Sequence, residues 1–211
     1  MPVKESMGQE RVSEPLYKRP LDLAILLVAH LLTLPLWLLL WTVIPLLIVL
    51  DDGLPVLYRQ RRIGRGGRLF HALKFRTMVR DADQLGPAWT ASDDPRLTRA
   101  GRLLRRTALD ELPQVINILN GEMSFVGPRA LAEQEHHHLI QQIPGFDQRL
   151  VLRPGLTGLA QVYTNRDDSE SKLAYDLEYA RRMSLWLDVK LLFLSLWVTL
   201  RARWERQRDQ Q

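Results

Sequence analysis

Residues 23–50 form a run of apolar side chains without a formal charge, and His30 is the only ionisable group within it. A surface helix of a water-soluble fold needs polar residues on its outer face, and this run offers almost none. The run is long enough to enter the hydrocarbon core of a bilayer. A polar leader of about twenty residues precedes it and no small-residue cleavage pattern follows, so we expect the segment to be retained.

Pro35 interrupts this run and predicts how it meets the membrane. Proline removes one helical hydrogen bond and clashes with the preceding turn, so a kink is expected there. The arms 23–34 and 36–50 would rise by about 18 and 22 Å, less than the hydrocarbon core of about 30 Å. Positive charge flanks both ends, with Lys18 and Arg19 before the run. The positive-inside tendency places both flanks on the cytoplasmic side. These features favour a re-entrant hairpin, while a single tilted transmembrane helix, or a decisive break at Pro45, stays open.

The chain of 211 residues is long enough for one sizeable core or two small ones. It contains no cysteine, which excludes a disulfide framework and is compatible with the cytoplasm. Its net charge of +5 suits lipid head groups, nucleotide phosphates and nucleic acid equally well. Composition alone therefore does not select the anionic partner.

After the apolar run, short elements alternate with glycine and proline. Residues 56–63 and 68–78 are rich in β-branched and aromatic side chains around Gly64-Arg65-Gly66-Gly67, which predicts a β-hairpin. A phosphate cradle at that glycine turn is the weaker alternative. Helices are expected over residues 97–106, 113–120, 129–142 and 169–183.

Two further segments carry recognisable patterns. Residues 136–138 are three consecutive histidines, which point in three directions on a helix and cannot converge on one metal ion. Residues 183–200 are apolar, and the arginines and tryptophans along and after them suit the head-group boundary. We therefore predict an interfacial C-terminal helix, while an ordinary core helix stays open as the alternative. Its boundary residues are Trp186, Trp197, Trp204, Arg201, Arg203 and Arg206.

Two adjacent carboxylates, Asp110 and Glu111, stand just before a predicted helix start and between arginines. Pro113 fits the first turn of that helix, where its missing N–H costs nothing. The carboxylates then face the positive end of a helix dipole, which favours their ionised form. An anionic carboxylate in this place can act as a nucleophile or as a metal ligand. The pattern indicates phosphate chemistry.

Six short motifs follow one another along the chain. They are Tyr17-Lys18-Arg19-Pro20-Leu21-Asp22, Tyr58-Arg59-Gln60-Arg61-Arg62-Ile63-Gly64, Lys74-Phe75-Arg76-Thr77-Met78, Leu109-Asp110-Glu111-Leu112-Pro113-Gln114, Met123-Ser124-Phe125-Val126-Gly127-Pro128-Arg129 and Arg153-Pro154-Gly155-Leu156-Thr157-Gly158. In this order they resemble the motif series of the bacterial sugar transferases, the monotopic phosphoglycosyl transferases. The resemblance covers about residues 15–200, nearly the whole chain.

This resemblance implies a membrane enzyme that moves a sugar-1-phosphate from a nucleoside diphosphate sugar, expected to be a uridine one, to undecaprenyl phosphate. The nucleoside monophosphate is released, and the product begins the synthesis of a glycan such as an exopolysaccharide. The implied cofactor is Mg²⁺. The implied partners are the nucleotide sugar, undecaprenyl phosphate and membrane lipids, without nucleic acid. The implied location is the bacterial inner membrane, with the catalytic domain on the cytoplasmic face.

The implied fold is α+β and mostly helical. It consists of a leader of unknown role at 1–16, a re-entrant membrane helix at 17–52 and a compact catalytic domain at 53–205. The catalytic domain combines a small β-hairpin, helices and an interfacial C-terminal helix. Family members enter one leaflet only, which agrees with the hairpin favoured by Pro35. In the family a Ser-Pro pair usually makes the break, whereas Leu34 precedes Pro35 here, so no hydroxyl is offered directly before the proline.

The resemblance also assigns roles to single residues. Asp110 matches the nucleophile that forms a covalent phosphosugar intermediate, and it matches a ligand of Mg²⁺. Glu111 matches the second member of the dyad, as an auxiliary metal contact or as a proton acceptor. Arg105, Arg129 and Arg153 match arginines that bind substrate phosphates, a task that suits the planar guanidinium group.

Lys74 and Asp176 also fall on family positions near the site. For them a substrate contact and a salt bridge that holds the cleft together stay equally open. The chain departs from the family pattern at Leu159, where tryptophan is common, and at Ala130, where proline is usual. Sugar or nucleotide specificity is expected to differ accordingly, and the sequence identifies neither the sugar nor the oligomeric state.

Two other classes of function remain as alternatives. A membrane-anchored basic binding protein would use the carboxylates only to cap a helix, and it predicts no metal dependence and a strong salt effect on binding. A phosphohydrolase would use Asp110 and magnesium with water as the acceptor. It predicts turnover without any polyprenol phosphate.

Overall fold

The computed structural model describes residues 13–82, 84–86, 94–164 and 168–208, with side chains described as far as residue 198. The described chain is mostly helical, as predicted, and it carries two small two-stranded sheets. The helices are α1 (Lys18–Leu32), α2 (Leu34–Asp52), α3 (Arg99–Thr107), α4 (Gln114–Asn120), α5 (Glu133–Gln142), α6 (Leu159–Tyr163), α7 (Ser169–Arg182) and α8 (Leu185–Arg208). The strands are β1 (Leu57–Ile63), β2 (Leu69–Phe75), β3 (Ser124–Val126) and β4 (Gly155–Thr157).

The predicted β-hairpin is confirmed, because β1 and β2 pair in one sheet. They are joined through a short 3₁₀ turn, Arg65–Gly67. Gly66 and Gly67 have φ of 65° and 76° in this turn. Such left-handed conformations are readily adopted by glycine and are costly for other residues.

The second sheet, formed by β3 and β4, was not predicted from the sequence. Strands β3 and β4 pair in parallel, with Ser124 opposite Gly155 and Val126 opposite Thr157. The two backbones approach so closely that a Cβ atom on Gly155 would lie 2.1 Å from the backbone nitrogen of Gly127. Each strand has only three residues, too few for an alternating pattern to be visible in the sequence.

The apolar run is broken at Thr33, two residues before the predicted kink. Thr33 has φ −121° and ψ 26°, and Pro35 occupies the first turn of the following helix α2. Proline is well tolerated there because the N–H it lacks would have no helical partner. The hydroxyl of Thr33 donates to the carbonyl of Ala29 at 2.6 Å. Thr33 therefore supplies a hydroxyl at the break although Leu34 precedes the proline.

Helix α2 is longer than the predicted arm 36–50. It has 19 residues, continues through Pro45, and is long and apolar enough to cross a membrane. Its rise of about 28 Å is close to the hydrocarbon thickness of about 30 Å. The prediction that each arm is too short to span is therefore wrong for α2, and helix length does not by itself select the hairpin.

The chain divides into two units. The first, named here the dyad unit, comprises the described residues within Leu21–Arg62 and Leu69–Met123. Its core joins Ile44 and Ile48 of α2 to Phe75 and Leu104. One face of α2 is thus buried against protein, whereas its outward leucines are exposed.

The second unit, named here the C-terminal unit, comprises the described residues within Met1–Pro20, Ile63–Arg68 and Ser124–Gln211. Its apolar core is built from β3, from Leu152 before β4, and from the helices α6, α7 and α8. The buried members are Val126, Leu152, Leu159, Tyr179, Ala180 and Leu191.

A buried polar cluster, named here the Lys18 clasp, lies in the C-terminal unit. The ammonium of Lys18 donates to the carbonyl of Val126 at 2.5 Å, to the hydroxyl of Tyr179 at 2.6 Å and to Asp188 Oδ2 at 3.2 Å. Tyr17 and Tyr179 both donate to the Asp188 carboxylate. The sequence had placed Lys18 among the positive charges that flank the apolar run. In the structure its side chain is only 3% exposed.

Helix α8 begins at Leu185, near the predicted residue 183, and extends to Arg208. Asp188 and Leu191 are buried in the C-terminal unit. Several large apolar side chains of α8 are exposed, as expected of a helix that contacts lipid head groups. They are Leu185, Trp186, Phe193, Leu196, Trp197 and Val198. The predicted boundary residues Arg201, Arg203, Trp204 and Arg206 lie outside the described side chains.

Candidate active site

The two adjacent carboxylates lie in a single 3₁₀ turn, Leu109–Glu111, between α3 and α4. Helix α3 ends at Thr107, and the following residue, Ala108, has a left-handed φ of 57°. This conformation is uncommon for a residue with a Cβ atom. It turns the chain out of α3 two residues before Asp110, and α4 begins three residues after Glu111. The predicted position just before a helix start is confirmed.

Asp110 is 8% exposed. Burial raises the pKa of its carboxyl above the usual range, and the charge of Glu111 acts in the same direction. The positive charges of Lys74 and Arg105 oppose this rise. The sequence had predicted a carboxylate kept ionised by a helix dipole. In the structure, two cationic side chains favour the ionised form and desolvation opposes it.

Lys74, near the end of β2, connects this strand to the carboxylate dyad of Asp110 and Glu111. Its ammonium donates to Glu111 Oε1 at 2.9 Å, with the two side chains 17% and 30% exposed. Burial lowers the pKa of Lys74, and the neighbouring Glu111 carboxylate limits that fall. The salt bridge predicted as one alternative for Lys74 is therefore present.

The rest of the motif Lys74-Phe75-Arg76-Thr77-Met78 is also explained by contacts. Arg76 donates to the carbonyls of Asp52 and Gly53 at the end of α2, at 2.8 and 2.6 Å. The hydroxyl oxygen of Thr77 accepts from Arg105 Nε at 3.0 Å. The motif thus connects the apolar helix α2, the dyad and Arg105. Strand β2 ends at Phe75, so Arg76 lies beyond it, and Lys74 and Arg76 have different partners.

Asn117 was not identified from the sequence, although it shapes this site. Its side chain is 1% exposed. The amide oxygen accepts from the N–H of Leu73 at 2.9 Å, and the amide nitrogen donates to the carbonyl of His71 at 2.8 Å. Asn117 therefore acts as an additional hydrogen-bonding partner for β2, directly before Lys74. An asparagine inside an apolar helix such as α4 is the sequence signal that could have identified it.

The carboxylates of Asp110 and Glu111 fit a magnesium ion. Among the side chains that the structure describes, no group of three or more His, Asp or Glu residues is arranged to hold a metal. Magnesium commonly takes one or two carboxylates and completes its octahedral shell with water and substrate phosphates. The donor set therefore suits an ion that binds together with a diphosphate, with Asp110 as the predicted protein ligand.

Arg129 and Arg153 lie beside the parallel sheet of the C-terminal unit. The backbone of Arg129 forms a parallel β-bridge with Gly155 just after β3, and Arg153 precedes β4. A Cβ atom on Gly127 would lie 2.4 Å from the carbonyl of Arg153. Gly127 and Gly155 thus permit the close approach of the two segments that carry Arg129 and Arg153. Arg129 is exposed, as a phosphate-binding side chain needs to be.

Asp176 is 2% exposed and forms an ion pair with Arg149 at 2.7 Å. Burial raises the pKa of Asp176, and the Arg149 guanidinium opposes this rise. Arg149 also donates to the backbone carbonyl of Arg129 at 2.9 Å. The contacts of Asp176 therefore agree with the salt-bridge alternative, and they connect it indirectly to the backbone of Arg129.

The predicted site residues thus fall into two groups. Asp110, Glu111, Lys74 and Arg105 lie in the dyad unit. Arg129, Arg153 and Asp176 lie in the C-terminal unit. Of the three consecutive histidines, His136 is 3% exposed and packs against Phe146, so it belongs to the interior of the protein.

Comparisons with known proteins extend this description. The family profile described as bacterial sugar transferase matches residues 13–202. A UDP-glucose:undecaprenyl-phosphate glucose-1-phosphate transferase from Xanthomonas campestris pv. campestris is 45% identical over 148 residues, which cover 67% of this chain and 31% of that protein. A protein of the same description from Caulobacter vibrioides is 41% identical over 192 residues, 88% of this chain and 70% of that protein.

A UDP-N-acetylgalactosamine-undecaprenyl-phosphate N-acetylgalactosaminephosphotransferase from Aeromonas hydrophila is 35% identical over 189 residues. The match covers 86% of this chain and 44% of that protein. The chain therefore spans less than half the length of the Xanthomonas and Aeromonas relatives. The relatives differ in the sugar that their descriptions name.

Proposed function

Because the chain belongs to the bacterial sugar transferase family, we propose that it transfers a sugar-1-phosphate from a UDP-sugar to undecaprenyl phosphate. The observation that carries this proposal is the buried carboxylate of Asp110, whose ionised form is favoured by the charges of Lys74 and Arg105. A carboxylate whose negative charge is offset by two cations can approach an anionic diphosphate with less repulsion. The product would be the first lipid-linked intermediate of a polysaccharide or glycoconjugate.

In the first half-reaction, an oxygen of Asp110 attacks the phosphorus that carries the sugar. The bond between that phosphorus and the bridging diphosphate oxygen breaks, and uridine monophosphate leaves. The sugar phosphate is then held on Asp110 as a mixed anhydride. Bound Mg²⁺ would supply charge neutralisation on the diphosphate oxygens.

In the second half-reaction, a phosphate oxygen of the lipid attacks the same phosphorus. The bond to Asp110 breaks, which releases the lipid diphosphate sugar and regenerates the carboxylate. Glu111 fits a supporting role, because its carboxylate is engaged by Lys74. It can hold Lys74 in place or accept a proton when the lipid phosphate arrives protonated.

The arginines are assigned to substrate phosphates. Arg105 is oriented by Thr77, while Arg129 keeps an exposed guanidinium beside a backbone held by Arg149. Planar guanidinium groups bind phosphate oxygens through two parallel hydrogen bonds. Arg153 keeps the same predicted role, and Asp176 is assigned to positioning through Arg149.

We assign residues 17–52 to a re-entrant membrane hairpin and residues 53–205 to a catalytic domain on the cytoplasmic face of the inner membrane. The ion pair of Lys18 with Asp188 supports the hairpin. Lys18 precedes the apolar run and Asp188 follows it, so a spanning helix would separate them by about 30 Å. The burial of Ile44 and Ile48 adds support, because it keeps the second half of α2 against the protein core.

The proposed function is tested with the full chain in detergent or nanodiscs. UDP-glucose, UDP-galactose and UDP-N-acetylgalactosamine are each supplied with magnesium, with and without undecaprenyl phosphate. Release of uridine monophosphate and extraction of a lipid-linked sugar are measured. We expect sustained release for one or more donors only when the lipid phosphate is present, and none for Asp110→Asn.

Sustained release without the lipid would identify a phosphohydrolase. Absence of release with every donor, together with salt-sensitive binding of anions, would favour the basic binding protein instead.

A further inference from the structure

The side chain of Glu14 lies against Arg153 in the C-terminal unit. One carboxylate oxygen accepts from the backbone N–H of Arg153 at 2.6 Å. The other accepts from Arg153 Nε at 2.7 Å and from Arg65 Nη1 at 3.3 Å. The Glu14 side chain is only 5% exposed. Glutamate is seldom buried to this degree unless it is paired, and here three N–H donors converge on it.

These three donors form a site for an anion. Arg153 presents its Nε–H and its backbone N–H to the same carboxylate, and Arg65 brings a second positive charge from the glycine turn. The same donor geometry accepts carboxylate and phosphate oxygens, because both are anions with oxygens spaced for parallel hydrogen bonds. A phosphate oxygen in the place of each Glu14 oxygen would satisfy every donor.

Glu14 reaches this site on a short tether. The Lys18 clasp fixes the chain four residues later, and the N–H of Lys18 also bonds to the carbonyl of Pro15 at 3.1 Å. A group on so short a tether has an effective concentration in about the millimolar range. A free anion must displace Glu14, so its measured affinity equals its intrinsic affinity multiplied by the fraction of molecules in which Glu14 is not bound.

We propose that Arg65 and Arg153 form a phosphate site and that Glu14 is a tethered competitor, which an incoming phosphate or diphosphate group displaces. The exposed guanidinium of Arg65, 48% exposed, gives the incoming anion a first contact while Glu14 is still bound. The leader thereby sets how much substrate phosphate is needed to fill the site. The anion site stands on the contacts alone, whereas the identity of its natural ligand rests on the proposed function.

The test compares the wild type with Glu14→Gln, which keeps the size of the side chain and removes its charge. Binding of inorganic pyrophosphate to the full chain in detergent is measured by calorimetry. We expect Glu14→Gln to bind pyrophosphate more tightly, on the order of tenfold, as the loss of a charge-assisted competitor predicts. Glu178→Gln is the matched control, because it removes one charge from an exposed pair with Arg182; its affinity should equal that of the wild type.

Two further arms identify the natural ligand. UDP-glucose and a short-chain polyprenol phosphate are titrated into the same variants. The substrate whose phosphate uses the site should gain affinity in Glu14→Gln, and its KM should fall by a similar factor. In the Glu14→Gln background, Arg65→Gln should remove most of the gain for pyrophosphate. A fluorophore on Ser13→Cys should report displacement of the leader when pyrophosphate is added.

Unchanged or weaker pyrophosphate binding in Glu14→Gln would overturn the proposal. If the melting temperature also fell in that variant, the pair of Glu14 and Arg153 would be a structural contact only. An unchanged signal from the Ser13 label at saturating pyrophosphate would also overturn it. These measurements need no turnover. Their outcome is therefore independent of the transferase assay. In that assay, the absence of uridine monophosphate release would refute the proposed function and not the anion site.

Discussion

Replacement of Lys18 by methionine is the perturbation whose cost can be worked most directly from the structure. Methionine matches the length of the lysine stem but carries no charge. The change leaves the Val126 carbonyl without its short hydrogen bond from the ammonium. It also leaves the Asp188 carboxylate, 0% exposed, with only the neutral hydroxyls of Tyr17 and Tyr179 among its described partners.

Removal of one partner from a buried ion pair costs about 3–5 kcal/mol, because the remaining charge stays desolvated. Tyr17→Phe removes one hydrogen bond of 3.1 Å to the same carboxylate, which costs about 1.5 kcal/mol. For a chain of this length each kcal/mol lowers the melting temperature by about 2–4 °C. We therefore expect a fall of roughly 6–20 °C for Lys18→Met and roughly 3–6 °C for Tyr17→Phe.

Tryptophan fluorescence during thermal unfolding in a fixed detergent measures these shifts. The double variant Lys18→Met with Asp188→Leu removes both charges, so its loss should be smaller than the sum of the two single losses. Equal, mild shifts for Lys18→Met and Tyr17→Phe would refute the reasoning, because Lys18 would then be solvated. Strict additivity in the double variant would also refute the direct pairing.

Three other changes have expected outcomes. Lys74→Arg should move the alkaline limb of the kcat/KM profile to higher pH. The pKa of Lys74 is lowered, so the lysine loses its charge as the pH rises, whereas an arginine keeps its charge. An unchanged limb would assign the alkaline limb to another group. Gly101→Ala should lower the melting temperature by several degrees, since its Cβ would lie 1.9 Å from the carbonyl oxygen of Thr77, and a neutral result would show that α3 can shift freely. Cysteines placed singly at Ser13 and Ser169 should be labelled from the cytoplasmic side only, and labelling from opposite sides would favour a spanning helix.

Local patterns explain what the sequence predicted well. The β-hairpin and the helices α3, α4 and α7 were expected from residue type, glycine turns and proline positions, and their observed bounds differ by a few residues. The helix α5 was expected from residue 129 but begins at Glu133. Residues before it are used elsewhere, since Arg129 bridges to Gly155 and the Leu131 carbonyl accepts from the N–H of Ile63.

Contacts between distant parts of the chain explain what the sequence did not show. Lys18 and Asp188 are separated by 170 residues, and Glu14 and Arg153 by 139. No periodic sequence pattern indicates such a pairing. Lys18 was therefore interpreted as a flanking charge, and no role was predicted for the leader, residues 1–16. The break at Thr33 was missed because proline was expected to disturb a helix, whereas Pro35 lies in the first turn of α2.

The central claim is that Asp110 is a nucleophile, and intact-protein mass measurement tests it most directly. The full chain is incubated with the UDP-sugar that supports turnover and with magnesium, without lipid acceptor, and is quenched rapidly. The account predicts a mass increase of one phosphosugar per chain, located at Asp110 by peptide analysis and absent in Asp110→Asn, together with ping-pong kinetics. Glu111→Gln should slow turnover by roughly 10²–10⁴ and still form some adduct. Transfer that requires bound acceptor, with no adduct at any quench time, would contradict the covalent route and leave Asp110 as a metal ligand alone.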